Sequence, residues 1–104
     1  MAILCGVDII EIDRIKEAFE KGGQAFKNRV FTESEIAYSE SKKAMKYQSY
    51  SARFAGKEAL AKALGTGISK GIGLKNIEVL NNGSGKPYAV LTGLAKERFT
   101  DLNG

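Results

Sequence analysis

The side chains best able to do chemistry are carboxylates and cations gathered in two short stretches. The first is Gly6-Val7-Asp8-Ile9-Ile10-Glu11, and the second is Arg53-Phe54-Ala55-Gly56-Lys57-Glu58-Ala59-Leu60-Ala61-Lys62-Ala63-Leu64-Gly65. Hard cations such as Mg²⁺ take one or two carboxylates and fill their remaining positions with water and phosphate oxygens, so Asp8 and Glu58 could together hold such an ion. Lys62, one helical turn beyond Glu58, would stand where it can neutralise the same phosphates. Local patterning leaves other roles open. Glu58 and Lys62 also have the spacing of an i,i+4 ion pair worth roughly 0.2–0.5 kcal/mol. Asp8 could equally be a helix N-cap with Glu11 as its reciprocal partner, worth about 1 kcal/mol. Arg53 and Lys57 are like charges four residues apart, a mildly unfavourable arrangement that either an anionic ligand or solvation would offset. Gly6, two residues before Asp8, removes a side chain that would crowd a ligand beside the carboxylate.

The rest of the composition narrows the chemistry. The 104 residues contain no histidine, which excludes Ser-His and Cys-His nucleophile pairs and histidine acid–base work within this chain. A single cysteine, Cys5, cannot form an internal disulfide and fits a reducing, cytoplasmic setting; in its apolar run it reads as packing. At 43% hydrophobic and 27% charged residues the chain has the make-up of one globular domain spanning 1–104. No apolar run approaches the roughly 20 residues of a membrane span. The apolar start lacks a positively charged leader and meets Asp8 at once, so it reads as a strand and not a secretory signal. The net charge of +4 points weakly to an acidic partner. No aromatic pattern for base stacking accompanies the basic residues, so nucleic acid is not expected. A basic module that binds an acidic protein or nucleic acid without catalysis is the alternative to an enzyme.

These residues need elements to position them. Residues 2 to 9 alternate as a strand, with Ile3, Cys5 and Val7 on one face and Gly6 and Asp8 on the other. Ile12, Ile15 and Phe19 recur at helical spacing, with Arg14, Lys16 and Lys21 outside them, and Gly22-Gly23 is expected to end this short helix. Thr32-Glu33-Ser34-Glu35 has the form of a capping box and predicts a helix start. Polar residues 42 to 47 interrupt that helix. The longest helix is expected over residues 49 to 64, ending at Gly65 as a left-handed C-cap. Here Glu58 shares a face with Phe54, Lys62 and the small residues Ser51, Ala55 and Gly65. Glycines 65, 67, 71 and 73 mark an irregular passage. Residues 76 to 80 and 87 to 91 predict a hairpin, with Pro87 opening its strand where the missing N–H costs least. A final short helix spans 93 to 102. Mixed helices and strands without regular alternation make the class α+β.

The two stretches, and the fifty-residue separation between them, resemble the signatures of the holo-acyl-carrier-protein synthases, the small bacterial 4'-phosphopantetheinyl transferases. Gly85-Lys86-Pro87-Tyr88 is similar to the hairpin of that family. The resemblance implies an antiparallel sheet packed against one long and several short helices. It implies transfer of the phosphopantetheine arm of coenzyme A to a serine of apo acyl carrier protein, in support of fatty acid biosynthesis. By the same resemblance Asp8 and Glu58 are Mg²⁺ ligands, Glu58 and Lys62 act in catalysis, and Arg53, Lys57 and Lys62 meet the coenzyme A phosphates. Gly65 and Gly85-Lys86-Pro87 lie near the nucleotide, Arg14 and Lys21 face the carrier protein, and the assembly is a homotrimer with shared sites. Members of that family continue with a strand bearing Ser-x-Ser-His, whereas this sequence ends at Asp101-Leu102-Asn103-Gly104, and a shortened form of a longer protein is the expectation.

Overall fold

Thr32 opens the part of the chain where local signals and tertiary packing agree most closely. In the computed structural model, which describes residues 9–65 and 73–103, its hydroxyl accepts from Glu35 N at 3.2 Å, and Glu35 Oε1 accepts from Thr32 N at 2.9 Å. The predicted capping box is therefore formed, and it starts a helix over Glu33–Glu40. The described elements run α1 (Ile9–Val30), α2 (Glu33–Glu40), a 3-10 turn (Lys43–Met45), α3 (Lys46–Ala63), a second 3-10 turn (Leu74–Asn76), β1 (Ile77–Asn81), β2 (Pro87–Leu91) and α4 (Gly93–Asn103). Residues 2 to 8 of the predicted first strand, with Cys5, Gly6 and Asp8, lie outside the described residues, as do Gly67 and Gly71, while Ile9, the last residue of that prediction, opens α1 instead.

The first described helix differs from its expected form. Gly23 adopts φ 57° and ψ −146°, a conformation open essentially to glycine alone, so the helical pattern breaks where the sequence predicted. The chain nevertheless resumes a helix through Val30. Phe26 and Val30, four residues apart, give this second piece its own buried side against Phe19 and Tyr50. Two helical pieces joined by a kink thus replace one short helix.

The core has two parts. Ile15, Val30, Phe31 and Tyr50 form one buried cluster, bordered by Phe19 and Phe54, and the Phe19 and Tyr50 rings meet edge-to-face with centroids 4.7 Å apart. Ala61, Leu64, Ile77 and Ala95 form the other, which joins α3, β1 and α4. Helix α3 crosses both, and Gly65 at φ 79° ends it as the sequence predicted. The hairpin pairs antiparallel with Asn81 opposite Pro87 and Ile77 opposite Leu91. Ile77 and Val79 turn into the core, while β2 is largely exposed. Its loop is held by Asn82 Oδ1, which accepts from Ser84 N, Ser84 Oγ and Lys86 N at 2.9, 2.9 and 3.0 Å. Helices on one face of a small antiparallel sheet make the fold α+β.

A polar latch fastens the second piece of α1. The Tyr50 hydroxyl donates to Glu40 Oε2 at 2.7 Å, and Lys27 and Lys46 reach the same carboxylate at 3.2 and 3.5 Å. The hydroxyl, more than the two lysines, holds Glu40 below its usual value of 4.5, so this stabilisation is present above that pH and is lost as pH falls through the lower folded-state value. Burial, aided by the Glu40 charge, raises Tyr50 above its usual 10.0. The neutral phenol therefore stabilises the fold below pH 10.0, and the contribution disappears as pH rises further. Tyr50→Phe should lower stability at neutral pH by about 1 kcal/mol and flatten the fall in melting temperature at both the acid and the alkaline end, as measured by thermal melts across pH.

Candidate substrate and metal site

Helix α3 sorts its charged residues by face. Lys57 is fully buried and Arg53 is 5% exposed, whereas Glu58 and Lys62 lie on the exposed side. At about 100° per residue, Arg53 and Lys57 share one side of the helix, and Glu58 and Lys62 share another. Among the described residues no ion pair joins Glu58 to Lys62, so that spacing is not used for a helix salt bridge. Asp8, the other expected carboxylate, lies outside the described residues. No cluster of three or more Asp, Glu, Cys or His side chains suited to a metal exists among the described residues. An exposed carboxylate such as Glu58, with no ion-pair partner among the described residues, fits Mg²⁺, which needs only one or two protein oxygens when substrate phosphates complete its shell.

Lys57 requires a correction. Its ammonium pairs with Glu35 Oε1 at 2.7 Å and donates to Leu74 O at 2.8 Å and Ile77 O at 2.7 Å, so all three of its donors are taken inside the core. Burial lowers the ammonium from its ordinary value, and the Glu35 carboxylate opposes that shift. No donor remains for a coenzyme A phosphate. Glu35 itself escaped the sequence reading as anything beyond a cap residue. Its second oxygen accepts from Val79 N at 2.7 Å, which ties α2 to β1 as well as to α3.

Arg53, by contrast, reaches an opening. Together with Tyr38, Lys42, Asn81, Gly85 and Pro87 it lines a cleft of about 330 Å³ between α3, the turn before it and the hairpin loop. Its guanidinium lies over the Tyr38 ring at 4.1 Å, and it donates from Nη1 to Ser49 Oγ at 3.2 Å and from Nη2 to Asn81 Oδ1. Its Nε is buried and has no hydrogen-bond partner among the described residues. Burial lowers the Arg53 guanidinium, with Tyr38 and Glu35 opposing, and it stays a cation at any ordinary pH. Lys42 stands over the same Tyr38 ring at 4.7 Å, so two cations flank one aromatic side chain at the cleft. Among the loop residues, Gly85 at φ 86° makes the turn and Lys86 is exposed beside it.

The remaining expected residues fall elsewhere. Gly65 ends α3 about 18 Å along the axis from Arg53, and Arg98 Nε donates to the neighbouring Leu64 O at 3.1 Å. Arg14 and Lys21 are exposed on the same side of α1, with Arg14 paired to Glu11 at 3.3 Å. Three expected residues, Arg53, Gly85 and Pro87, are therefore brought together, while Glu58 and Lys62 form a separate exposed pair.

Residues 4–103 match the family described as the 4'-phosphopantetheinyl transferase superfamily. The chain is 57% identical over 102 residues to the holo-(acyl-carrier-protein) synthase of Ruminiclostridium cellulolyticum, covering 98% of this chain and 76% of that one. It is 46% identical over 99 residues to the enzyme of the same name from Protochlamydia amoebophila, covering 95% and 80%. Its structure is similar to the crystal structure of the Neisseria meningitidis synthase, with a TM-score of 0.69 and 34% identity over 89% of this chain and 73% of that one. It is also similar to the Bacillus anthracis synthase in complex with coenzyme A (3',5'-ADP), with a TM-score of 0.66 and 39% identity over 83% and 72%. The chain belongs to the 4'-phosphopantetheinyl transferase superfamily and, within it, to the holo-(acyl-carrier-protein) synthases. It is thus an enzyme, a transferase, and the non-catalytic alternative is set aside.

The division of α3 gives a direct stability test. Lys57→Met would leave the Glu35 carboxylate buried without its cation and should cost about 3–5 kcal/mol in urea unfolding. Lys62→Met, at an exposed position, should change stability by no more than about 0.5 kcal/mol. Equal losses would contradict the separation of the two lysines into core and surface.

Proposed function

We propose that this transferase moves the phosphopantetheine arm of coenzyme A onto a serine hydroxyl of an apo acyl carrier protein, with Mg²⁺ required. The serine oxygen bonds to the phosphorus that carries the pantetheine arm. The bridging P–O bond to the other phosphorus breaks, adenosine 3',5'-bisphosphate leaves, and the serine proton passes to water or a carboxylate. The observation that carries this reading is the meeting of Arg53, Gly85 and Pro87 in one cleft. The Arg53 guanidinium in the cleft lining, with Lys42 beside it, suits the phosphates of the adenosine end of coenzyme A, while the hairpin loop brings backbone close to the nucleotide.

Asp8 and Glu58 are the residues that would hold Mg²⁺, which when bound supplies polarisation of the pyrophosphate and neutralises charge on the leaving group. Lys62, on the same face as Glu58, orients and neutralises the phosphates, and Lys86 and Gly65 lie at the margins of the coenzyme A site. Such chemistry depends on positioning and electrostatics more than on a protein nucleophile, which suits a chain without histidine. The exposed Arg14 and Lys21 on α1 offer positive charge to an acidic carrier protein. In this proposal the protein is a single domain over 1–104 that assembles as a homotrimer with active sites at subunit interfaces, works in the cytoplasm and serves fatty acid biosynthesis.

Incubation with coenzyme A, Mg²⁺ and apo carrier protein should raise the mass of the carrier by one phosphopantetheinyl group, and chelation should stop it. Absence of that shift with the wild-type chain would sink the proposal. Glu58→Gln should fold normally and lose turnover by about 100-fold or more. Arg53→Lys should raise KM for coenzyme A about tenfold, the loss of one charge-assisted contact.

A further inference from the structure

Two charged residues that follow one another in α3 have opposite fates. Lys57 is fully buried and Glu58 is exposed. Around the helix axis Glu58 stands about 100° and Lys62 about 140° from Lys57. Whatever fixes the rotation of α3 at Lys57 therefore also fixes where the Glu58 carboxylate points. The group that meets Lys57 there is the buried Glu35 of α2, which pairs with Lys57 Nζ at 2.7 Å.

Glu35 is itself tightly held. One oxygen also accepts from Thr32 N at 2.9 Å, and the other from Val79 N at 2.7 Å. Lys57 completes the set by donating to Leu74 O and Ile77 O, at the start of the hairpin that supplies Gly85 and Pro87 to the cleft. An apolar pair could fill this space, and such replacements are often neutral or stabilising. A hydrogen-bonded ion pair adds direction, because each polar atom has one place to be.

We infer that Glu35 is a positioning residue for the transfer reaction. Acting through Lys57, it sets the rotation of α3 so that Glu58 and Lys62 face the reacting phosphates. Arg53, one turn earlier in α3, has its own tie to Asn81 of the hairpin, so a change at the Glu35–Lys57 pair should be felt at Glu58 and Lys62 more than at the cleft. The inference rests on the assignment of Glu58 as a metal ligand, and it assigns Lys57 to alignment and not to phosphate binding.

The test compares the full wild-type chain with Glu35→Asp and with the double variant Glu35→Leu/Lys57→Met. Folding is followed by circular dichroism and thermal melting, kcat and KM by carrier-protein mass, and metal binding by the paramagnetic resonance of Mn²⁺ titrated in the presence of coenzyme A. Both variants should fold, and Glu35→Asp keeps the test open should the double variant fail to do so. The expected result is kcat lower by about 10- to 100-fold, weaker Mn²⁺ binding by about tenfold, and KM for coenzyme A within about threefold of wild type. Folded variants with wild-type kcat and Mn²⁺ affinity would overturn the inference. A large rise in KM with kcat unchanged would also overturn it, because that pattern marks Lys57 as a phosphate ligand. Wild-type and Glu58→Gln chains run alongside. Wild type without transfer refutes the proposed reaction itself, while the Mn²⁺ titrations still judge the positioning role.

Discussion

The buried ion pair between Glu35 and Lys57 is the interaction on which the rest of this structure depends. Taking a carboxylate and an ammonium out of water is costly, and attraction between them offsets that cost only when the remaining lone pairs and protons are also satisfied. Here they are satisfied by Thr32 N, Val79 N, Leu74 O and Ile77 O. The partners come from α2, α3, β1 and the turn before it, so one charged contact fastens elements that the two apolar clusters hold only separately. Along α3, Lys57 falls between Tyr50 of the aromatic cluster and Ala61 of the other.

That arrangement explains how one helix serves both core and surface. Alanines at 52 and 61 let α3 approach its neighbours closely, and both are buried. The opposite side carries Ala55, Glu58, Ala59 and Lys62, all exposed. A helix with apolar residues on every side would sink into the core, and one with charges on every side would not pack. Burying Lys57 against a carboxylate lets α3 place a charge inward without adding an uncompensated cation there.

Much of this was legible from local chemistry. The Thr32–Glu35 capping box, the end of α3 at Gly65, the hairpin and the last helix all follow from short-range rules, and each forms at or near its expected position. The break at Gly23 was legible too, but the helix beyond it was not, because Phe26 and Val30 form a buried side only once Phe19 and Tyr50 are there to meet them. Lys57 was misread for a similar reason. In sequence it is one cation among several on a helix, equal in standing to Arg53 and Lys62. What separates them is a partner on another helix, and Glu35 already had a complete local explanation as a cap residue. The meeting of Arg53 with Gly85 and Pro87 was likewise out of reach of periodicity, and came into view only through the family resemblance.

The pairing also decides which charges a bound anion feels. A buried lysine left alone beside the cleft would add positive potential in a low-dielectric region, where its reach is long. Glu35 neutralises it at 2.7 Å, so Lys57 and Glu35 together present little net charge outside the core. The field offered to a phosphate then comes from Arg53 and Lys42 at the cleft and from Lys62 on the outer face of α3. Those cations differ in kind as well as in place. Arg53 is held by Ser49, Asn81 and the Tyr38 ring, so it is preorganised and cannot follow a moving ligand. Lys62 is free to do so on its flexible stem. On the proposed function, a rigid cation at the adenosine end of coenzyme A and an adaptable one near the bond that breaks would divide the work as transfer by positioning requires.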